Sequence, residues 1–240
     1  MGKFDDIRWK WLEERGIEVY GDSYQLDYIL SLWKTPDKIQ AVFCESKAGT
    51  GKTTLAVLAG AYEVIKGEHY DRIIYVRNAV PIREQGFLTG DIKQKSAPYM
   101  APIADALELV HPATFEEWTF EQGKEQPKLV PITTSFVRGI TWKRSFVIID
   151  ESQNMDLEEL QAIYTRCDTT SKIVSVGSIR QVDNKKVKRI AGLLPFQIYM
   201  KHFEGDPRVS FHELVTCYRG WFADKADDVL ETVKRLEGRL

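Results

Sequence analysis

The chain has 240 residues, 43% of them hydrophobic and 28% charged, with a formal net charge of −2. That length can bury a sizeable core and suits one α/β domain with insertions, or at most two small domains. The near-neutral balance argues against wholesale coating of nucleic acid but leaves room for a local basic groove. The three cysteines, Cys44, Cys167 and Cys217, form no CxxC pair, which excludes a cysteine zinc cage and favours a reducing compartment. His69, His111, His202 and His212 are scattered without metal-ligand spacing. Neither a signal peptide nor an apolar run of about 18 residues is found. A cytoplasmic protein without membrane contact is therefore expected.

Trp9 to Arg15 is a short amphipathic stretch, followed by turns at Gly16 and Gly21. Asp22 or Ser23 can cap a helix whose apolar face includes Tyr24, Tyr28, Ile29, Leu32 and Trp33, ended by Thr35-Pro36. Gln25, at its start, reads either as an exposed helix glutamine or as an amide that could meet an adenine edge. Val42-Phe43-Cys44 is the end of a buried strand, and after Thr53 the residues Leu55, Ala56, Leu58, Ala59, Tyr62 and Ile65 recur at helical spacing until Gly67. Between strand and helix lies Ser46-Lys47-Ala48-Gly49-Thr50-Gly51-Lys52-Thr53. Such a turn points the backbone N–H groups of residues 48 to 53 into one hollow, where they and the positive helix end suit a polyphosphate. Gly49 and Gly51 let the backbone come close, Lys52 can reach the terminal phosphates, and the Thr53 hydroxyl can ligate Mg²⁺. The P-loop pattern has glycine where Ser46 stands; from Ala48 to Thr53 the chain fits it.

Ile73-Ile74-Tyr75-Val76 is a second buried strand, closing on Arg77 and Asn78. Pro81 to Asp91 reads as loop, and from Asp91 onward a helix-like region is interrupted at Pro98 and Pro102. Thr114 is expected to cap a helix through Glu121, Gly123 to Gln126 is a polar break, and residues 129 to 142 carry no clear period. Phe146-Val147-Ile148-Ile149 then runs into Asp150-Glu151, a buried strand delivering two carboxylates to a sheet edge, where ligands sit in open parallel sheets. Asp150 can hold Mg²⁺ and Glu151 can polarise an attacking water. Asp156 with Glu159 makes a capping box for a helix through Arg166. Ile173 to Val176 is a further strand leading to Gly177, Ser178 and Gln181; Leu193 to Phe203 reads as helix and Val209 to Phe211 as a short strand. Ala223, Ala226, Val229, Leu230, Val233 and Leu236 mark one final amphipathic helix. Strands alternating with helices predict an α/β fold, a mostly parallel sheet with helices on both faces.

With these elements in place the chain resembles the PhoH-like ATPases, P-loop NTPases related to superfamily 1 helicase motor domains. The likeness extends past the generic motifs to Gly86-Phe87-Leu88-Thr89-Gly90-Asp91 with Lys93, Lys95, Pro98 and Tyr99, similar to an insertion particular to that family. Arg77-Asn78-Ala79-Val80, Arg138-Gly139, Asp150-Glu151-Ser152-Gln153-Asn154, Gln181-Val182-Asp183, Gly192-Leu193 and Arg219 continue it, over about residues 25 to 235. The resemblance implies one RecA-like domain over residues 1–240, its core about 23–235, with an insertion about 78–144. It implies adenine near Gln25 and phosphates on Ala48, Gly49, Thr50, Gly51, Lys52, Thr53 and Thr54. Thr53 and Asp150 would serve Mg²⁺, Glu151 the water, and Gln181 would sense the γ-phosphate of ATP. Ser178 stands where the family has aspartate, keeping a hydrogen-bonding group but losing a charge that bears on turnover.

Helicase motors take a catalytic arginine from a second domain, so here it would come from a neighbouring copy or from the chain itself. Arg219 is the first candidate, with Arg138 and Arg77 in reserve. The neighbour option implies a homo-oligomer, a ring in one arrangement. RNA or single-stranded DNA is a further expected partner: Lys185, Lys186, Lys188 and Arg189 make a basic run, Lys93 and Lys95 another, with Trp118 and Trp142 available for stacking. The alternative for these is a solvated face and core tryptophans. Two other functions remain open at this level, an ATP-binding assembly subunit with little turnover and a nucleoside-type small-molecule kinase.

Overall fold

The structure, a computed structural model, describes residues 3–78, 92–120, 126–134, 137, 139 and 141–238. Its centre is a six-stranded sheet of β1 (Ala41–Glu45), β2 (Arg72–Arg77), β3 (Leu129–Thr133), β4 (Ser145–Asp150), β5 (Lys172–Gly177) and β6 (Val209–His212), in the order β3-β2-β4-β5-β1-β6. Every pairing is parallel. The strand that feeds the glycine-rich turn is separated from the Asp-Glu strand by β5, an α/β architecture of RecA-like type.

Successive strand side chains point to opposite faces, and here the parity separates two cores. Val42, Cys44, Ile73, Tyr75, Phe146, Ile148, Val174 and Val176 face a layer made by α1 (Lys3–Glu13), α2 (Ser23–Trp33), α3 (Lys52–Lys66) and α4 (Ile92–Glu108), with α5 (Thr114–Thr119) at its margin. Ala41, Phe43, Ile74, Val76, Val147 and Ile149 face α6 (Leu157–Tyr164) and α7 (Pro195–His202). Burial on both faces is why these strands read as unbroken apolar runs. The shared polarity brings the carboxyl ends of four strands, at Glu45, Arg77, Asp150 and Gly177, to one edge, in the registers Glu45↔Gly177 and Arg77↔Asp150.

Lys172 begins β5 fully buried, and its ammonium donates to the carbonyls of Ser31 (2.8 Å), Lys34 (2.8 Å) and Ile39 (2.6 Å), closing the carboxyl end of α2 onto the sheet. Lys172→Met keeps the stem but leaves those carbonyls unpaired. A loss of about 3 kcal/mol or more in denaturant unfolding is expected, since each orphaned buried group costs about 1–3 kcal/mol. Unfolding at the wild-type midpoint would contradict this role.

Several elements differ from expectation. α4 runs unbroken through Pro98 and Pro102. A proline inside a helix costs about 3 kcal/mol, whereas burying an aliphatic side chain contributes about 1.5–3 kcal/mol, and α4 buries Met100, Ile103, Ala106 and Leu107 against the core. Thr114 is the first helical residue of α5 and not its cap; Ala113 precedes it without a side-chain cap bond. Residues 129–133, unassigned by period, form edge strand β3, where Pro131 is tolerated. The final helix is two, α8 (Trp221–Asp227) and α9 (Val229–Leu236), and Trp221, Phe222, Val229, Val233 and Leu236 stay exposed, Trp221 at 75% and Leu236 at 83%. The pattern was amphipathic, but these helices are held by their polar side. Gly86 to Asp91, Ala79, Val80, Gly123 and Arg138 lie outside the described residues, as do the side chains of Lys93 and Lys95. No helix among the described residues is long and apolar enough to cross a membrane.

Candidate functional site

The edge formed by the strand ends opens into a cavity of about 860 Å³. Gln25, Ala48, Gly49, Gly51, Lys52, Thr53, Thr54, Asp150, Glu151, Gln181 and Arg219 all line it, together with Arg77. Thr50 is the exception. Its side chain is fully buried, its hydroxyl donates to the Lys47 carbonyl at 3.0 Å, and its own carbonyl accepts the Gln25 amide at 3.0 Å. Gln25 is thus neither exposed nor free, being 5% exposed and tied to the turn. Its position follows from the cap, since Asp22 accepts from the backbone N–H of Tyr24 (3.0 Å) and Gln25 (3.1 Å).

Gly49 and Gly51 both have positive φ, +75° and +85°, so any side chain there would be strained. A Cβ on Gly49 would also lie 2.9 Å from Cys217 Sγ and 3.0 Å from Arg219 Cδ, because the segment after β6 crosses the turn. Tyr218 N–H donates to the Gly49 carbonyl at 2.8 Å, Leu214 N–H donates to Ser46 Oγ at 2.8 Å, and Tyr218 Oη donates to Asp22 at 3.0 Å. The Ser46 hydroxyl thereby gives the departure from glycine a structural use. Lys52 Nζ donates to the Lys47 carbonyl at 3.2 Å.

Thr53 Oγ1 donates to Asp150 Oδ1 at 2.9 Å, and Tyr75 Oη donates to Asp150 Oδ2 at 2.5 Å. Burial, reinforced by Asp150, holds the Tyr75 phenol far above the usual range, so it remains a donor. Glu151 sits in the left-handed region at φ 55°, a strained conformation of the kind that gathers at functional sites. Burial first, then the neighbouring Asp150, raises its carboxyl above the ordinary glutamate value, while the Gln153 amide at 2.6 Å and Arg77 at 3.8 Å pull it back. Arg77 also donates to the Tyr99 carbonyl at 3.3 Å.

Gln153 and Asn154 connect this strand end to the loop after β5. Gln153 Nε2 donates to the Gln181 carbonyl at 2.9 Å, and Gln153 Oε1 accepts from Ser178 N–H at 3.0 Å. Asn154 Oδ1 accepts from Asp183 N–H (2.8 Å) and Asn184 N–H (3.1 Å). The Gln181 side chain itself donates to Asp227 at 2.9 Å. Sequence reasoning missed Tyr75; a phenol inside an otherwise aliphatic strand was its one signal, since buried tyrosine seeks a partner. Trp142 is buried and offers no stacking face, while Trp118 is partly buried against the core with Lys128 over its ring.

Oxygen donors from two elements beside the amino end of α3 suit a hard cation and a polyphosphate. The chain is 36% identical over 174 residues to a PhoH-like protein of Synechocystis, covering 72% of this chain and 51% of the relative. It is 36% identical over 165 residues to a PhoH-like protein of Bacillus subtilis (68% and 50%) and 32% identical over 160 residues to protein PhoH of Escherichia coli K12 (66% and 43%). The chain therefore spans about half the length of the first two curated relatives, and less of the third. Among solved structures, the large terminase of bacteriophage D6E in complex with ADP aligns with a TM-score of 0.48 at 10% identity, over 88% of this chain and 49% of that one. The PhoH-like protein profile matches residues 22–218, and the chain belongs to that family.

Proposed function

We propose that the chain binds Mg-ATP in this cavity and hydrolyses it to ADP and phosphate. The observation that carries the reading is the 2.9 Å bond between Thr53 Oγ1 and Asp150 Oδ1, which joins the first turn of α3 to the end of β4 beside the amides of residues 48 to 53. Both groups are hard oxygen donors and fit magnesium, which keeps several waters and takes few protein ligands. The ion would supply neutralisation of charge developing on the β- and γ-phosphates. Lys52 reaches the terminal phosphates, Tyr75 fixes the Asp150 carboxylate, and Glu151, held by Gln153, orients and polarises the attacking water. Gln181 meets the γ-phosphate, and the Gln153 bridge links its backbone to Glu151. Arg219 supplies the catalytic arginine from the same chain. Gln25 supports the turn beneath the nucleotide and borders the base. The residues from the glycine-rich turn to Arg219 act as one domain.

The test is phosphate release from Mg-ATP by wild type against Glu151→Gln. Equal background rates in both would favour an assembly subunit that binds nucleotide without turning it over.

For the partner, Lys185, Lys186, Lys188 and Arg189 are exposed and follow directly from the Gln181 loop that Asn154 anchors. Single-stranded RNA or DNA on this run would be felt by the sensor loop. Replacing Lys185, Lys186 and Lys188 by alanine is expected to weaken RNA binding and to flatten the slope of log K against log salt by about 2. Unaltered binding by the triple variant would remove this face from consideration.

A further inference from the structure

α8 and the described side chains of α9 bury nothing in the core; Trp221 and Phe222 are 75% and 76% exposed. Their attachment is ionic. Asp228 Oδ1 accepts from Lys47 Nζ at 2.8 Å and from Arg180 Nη1 at 2.7 Å. Asp224 lies 3.6 Å from Lys47, and Glu231 lies 3.7 Å from Arg180. Asp227 Oδ1 accepts the Gln181 amide at 2.9 Å. Lys47 belongs to the glycine-rich turn, while Arg180 and Gln181 belong to the loop after β5. One helical corner therefore ties together the two loops that flank the phosphate end of the cavity.

We infer that Asp227 and Asp228 are a carboxylate latch, closed in the arrangement seen here, which a bound nucleoside triphosphate opens by drawing Gln181 and Arg180 to its terminal phosphate. The inference rests on the nucleotide reading of the cavity. Three observations support competition between carboxylate and phosphate. Gln181 lines the cavity, yet its amide is spent on Asp227. The pairs to Asp228 and Glu231 are partly open to solvent, where ion pairs hold weakly, whereas an arginine fork on a phosphate makes stronger charge-assisted bonds. The second oxygen of Asp227 is shut from solvent without a hydrogen-bond partner, a penalty carried only while the latch is closed. Lys47 and Arg180 also hold the Asp228 carboxyl below the usual range, as anionic partner to both loops. Asp227 and Asp228 are thus positioning residues, acting through Gln181 and Arg180, and opening them releases the helical corner from both loops.

The test is hydrogen exchange of the full chain with and without a non-hydrolysable ATP analogue and Mg²⁺, with tryptic cleavage at Lys225, Lys234 and Arg235 as a second readout. Analogue is expected to protect the amides of residues 48–53 while residues 221–237 exchange and are cleaved several-fold faster. The Asp227→Asn/Asp228→Asn variant should show the fast pattern without analogue and bind the analogue several-fold tighter, with its melting temperature little changed. Protection at residues 48–53 with no change at 221–237 overturns the latch alone. No protection at residues 48–53 overturns the nucleotide reading and the latch with it.

Discussion

Glu151→Gln is expected to lower phosphate release from Mg-ATP by about 10²- to 10⁴-fold, the usual contribution of one positioned acid–base group, with nucleotide affinity nearly intact. The glutamine keeps the length of the side chain and an oxygen able to accept from Gln153, so the bridge to the Gln181 loop survives. Thr53 and Asp150, the proposed magnesium donors, are untouched. What is lost is the negative charge that polarises water. The pH dependence gives an independent check. Burial and Asp150 raise the Glu151 carboxyl above its ordinary 4.5, so the group protonates, and the rate falls, at a pH higher than an exposed glutamate would show. Gln153→Leu removes the hydrogen bond that lowers this pKa and should move the acid limb of the rate further upward. A Glu151→Gln enzyme with wild-type turnover would take the water-polarising role away from this residue.

The parts of this site that were legible in sequence are those in which chemistry and chain are local. The turn from Ser46 to Thr53 and the run Phe146 to Glu151 carry their strand, their polarity and their functional groups within a few residues. Because β1, β2, β4 and β5 lie inside the sheet, their apolar runs announced themselves, and a parallel sheet then required both motifs at one edge. β3 gave no such signal, since as an edge strand it is only partly buried and tolerates a proline. α4 was hidden for the opposite reason: local propensity argued against it, and burial of its apolar face outweighed that propensity. Tyr75 reaches Asp150 only through the pairing of β2 with β4, so no linear spacing reveals it. Arg180 and the acidic corner between α8 and α9 meet across 48 residues of chain, an encounter set by tertiary packing alone. Gln25 shows the same limit, because an amide near a helix start looks solvated until the turn it supports is laid over it.

Arg219→Ala should produce the larger loss, about 10³- to 10⁵-fold in turnover, the range a catalytic arginine contributes in P-loop enzymes. The residue is presented to the cavity by its own chain. Leu214 N–H on Ser46, Tyr218 N–H on Gly49 and Tyr218 Oη on Asp22 strap the segment across the glycine-rich turn, and the stem of Arg219 lies against Gly49. Alanine removes none of those three contacts, so nucleotide binding should persist while hydrolysis collapses. Lysine at the same position keeps the charge but not the planar fork, and should recover only part of the rate. Arg77, a reserve candidate, is held by Glu151 and the Tyr99 carbonyl and has less freedom to reach a transferring phosphate. Mixing the Arg219→Ala and Glu151→Gln proteins then distinguishes an arginine acting within one chain from one acting on a neighbour. If Arg219 served an adjacent copy, the Glu151→Gln subunits would lend their arginine to the intact Glu151 sites and a sizeable fraction of activity would return. With the arginine acting in its own chain, every site in the mixture lacks one of the two groups, and the mixture should stay as slow as either variant alone.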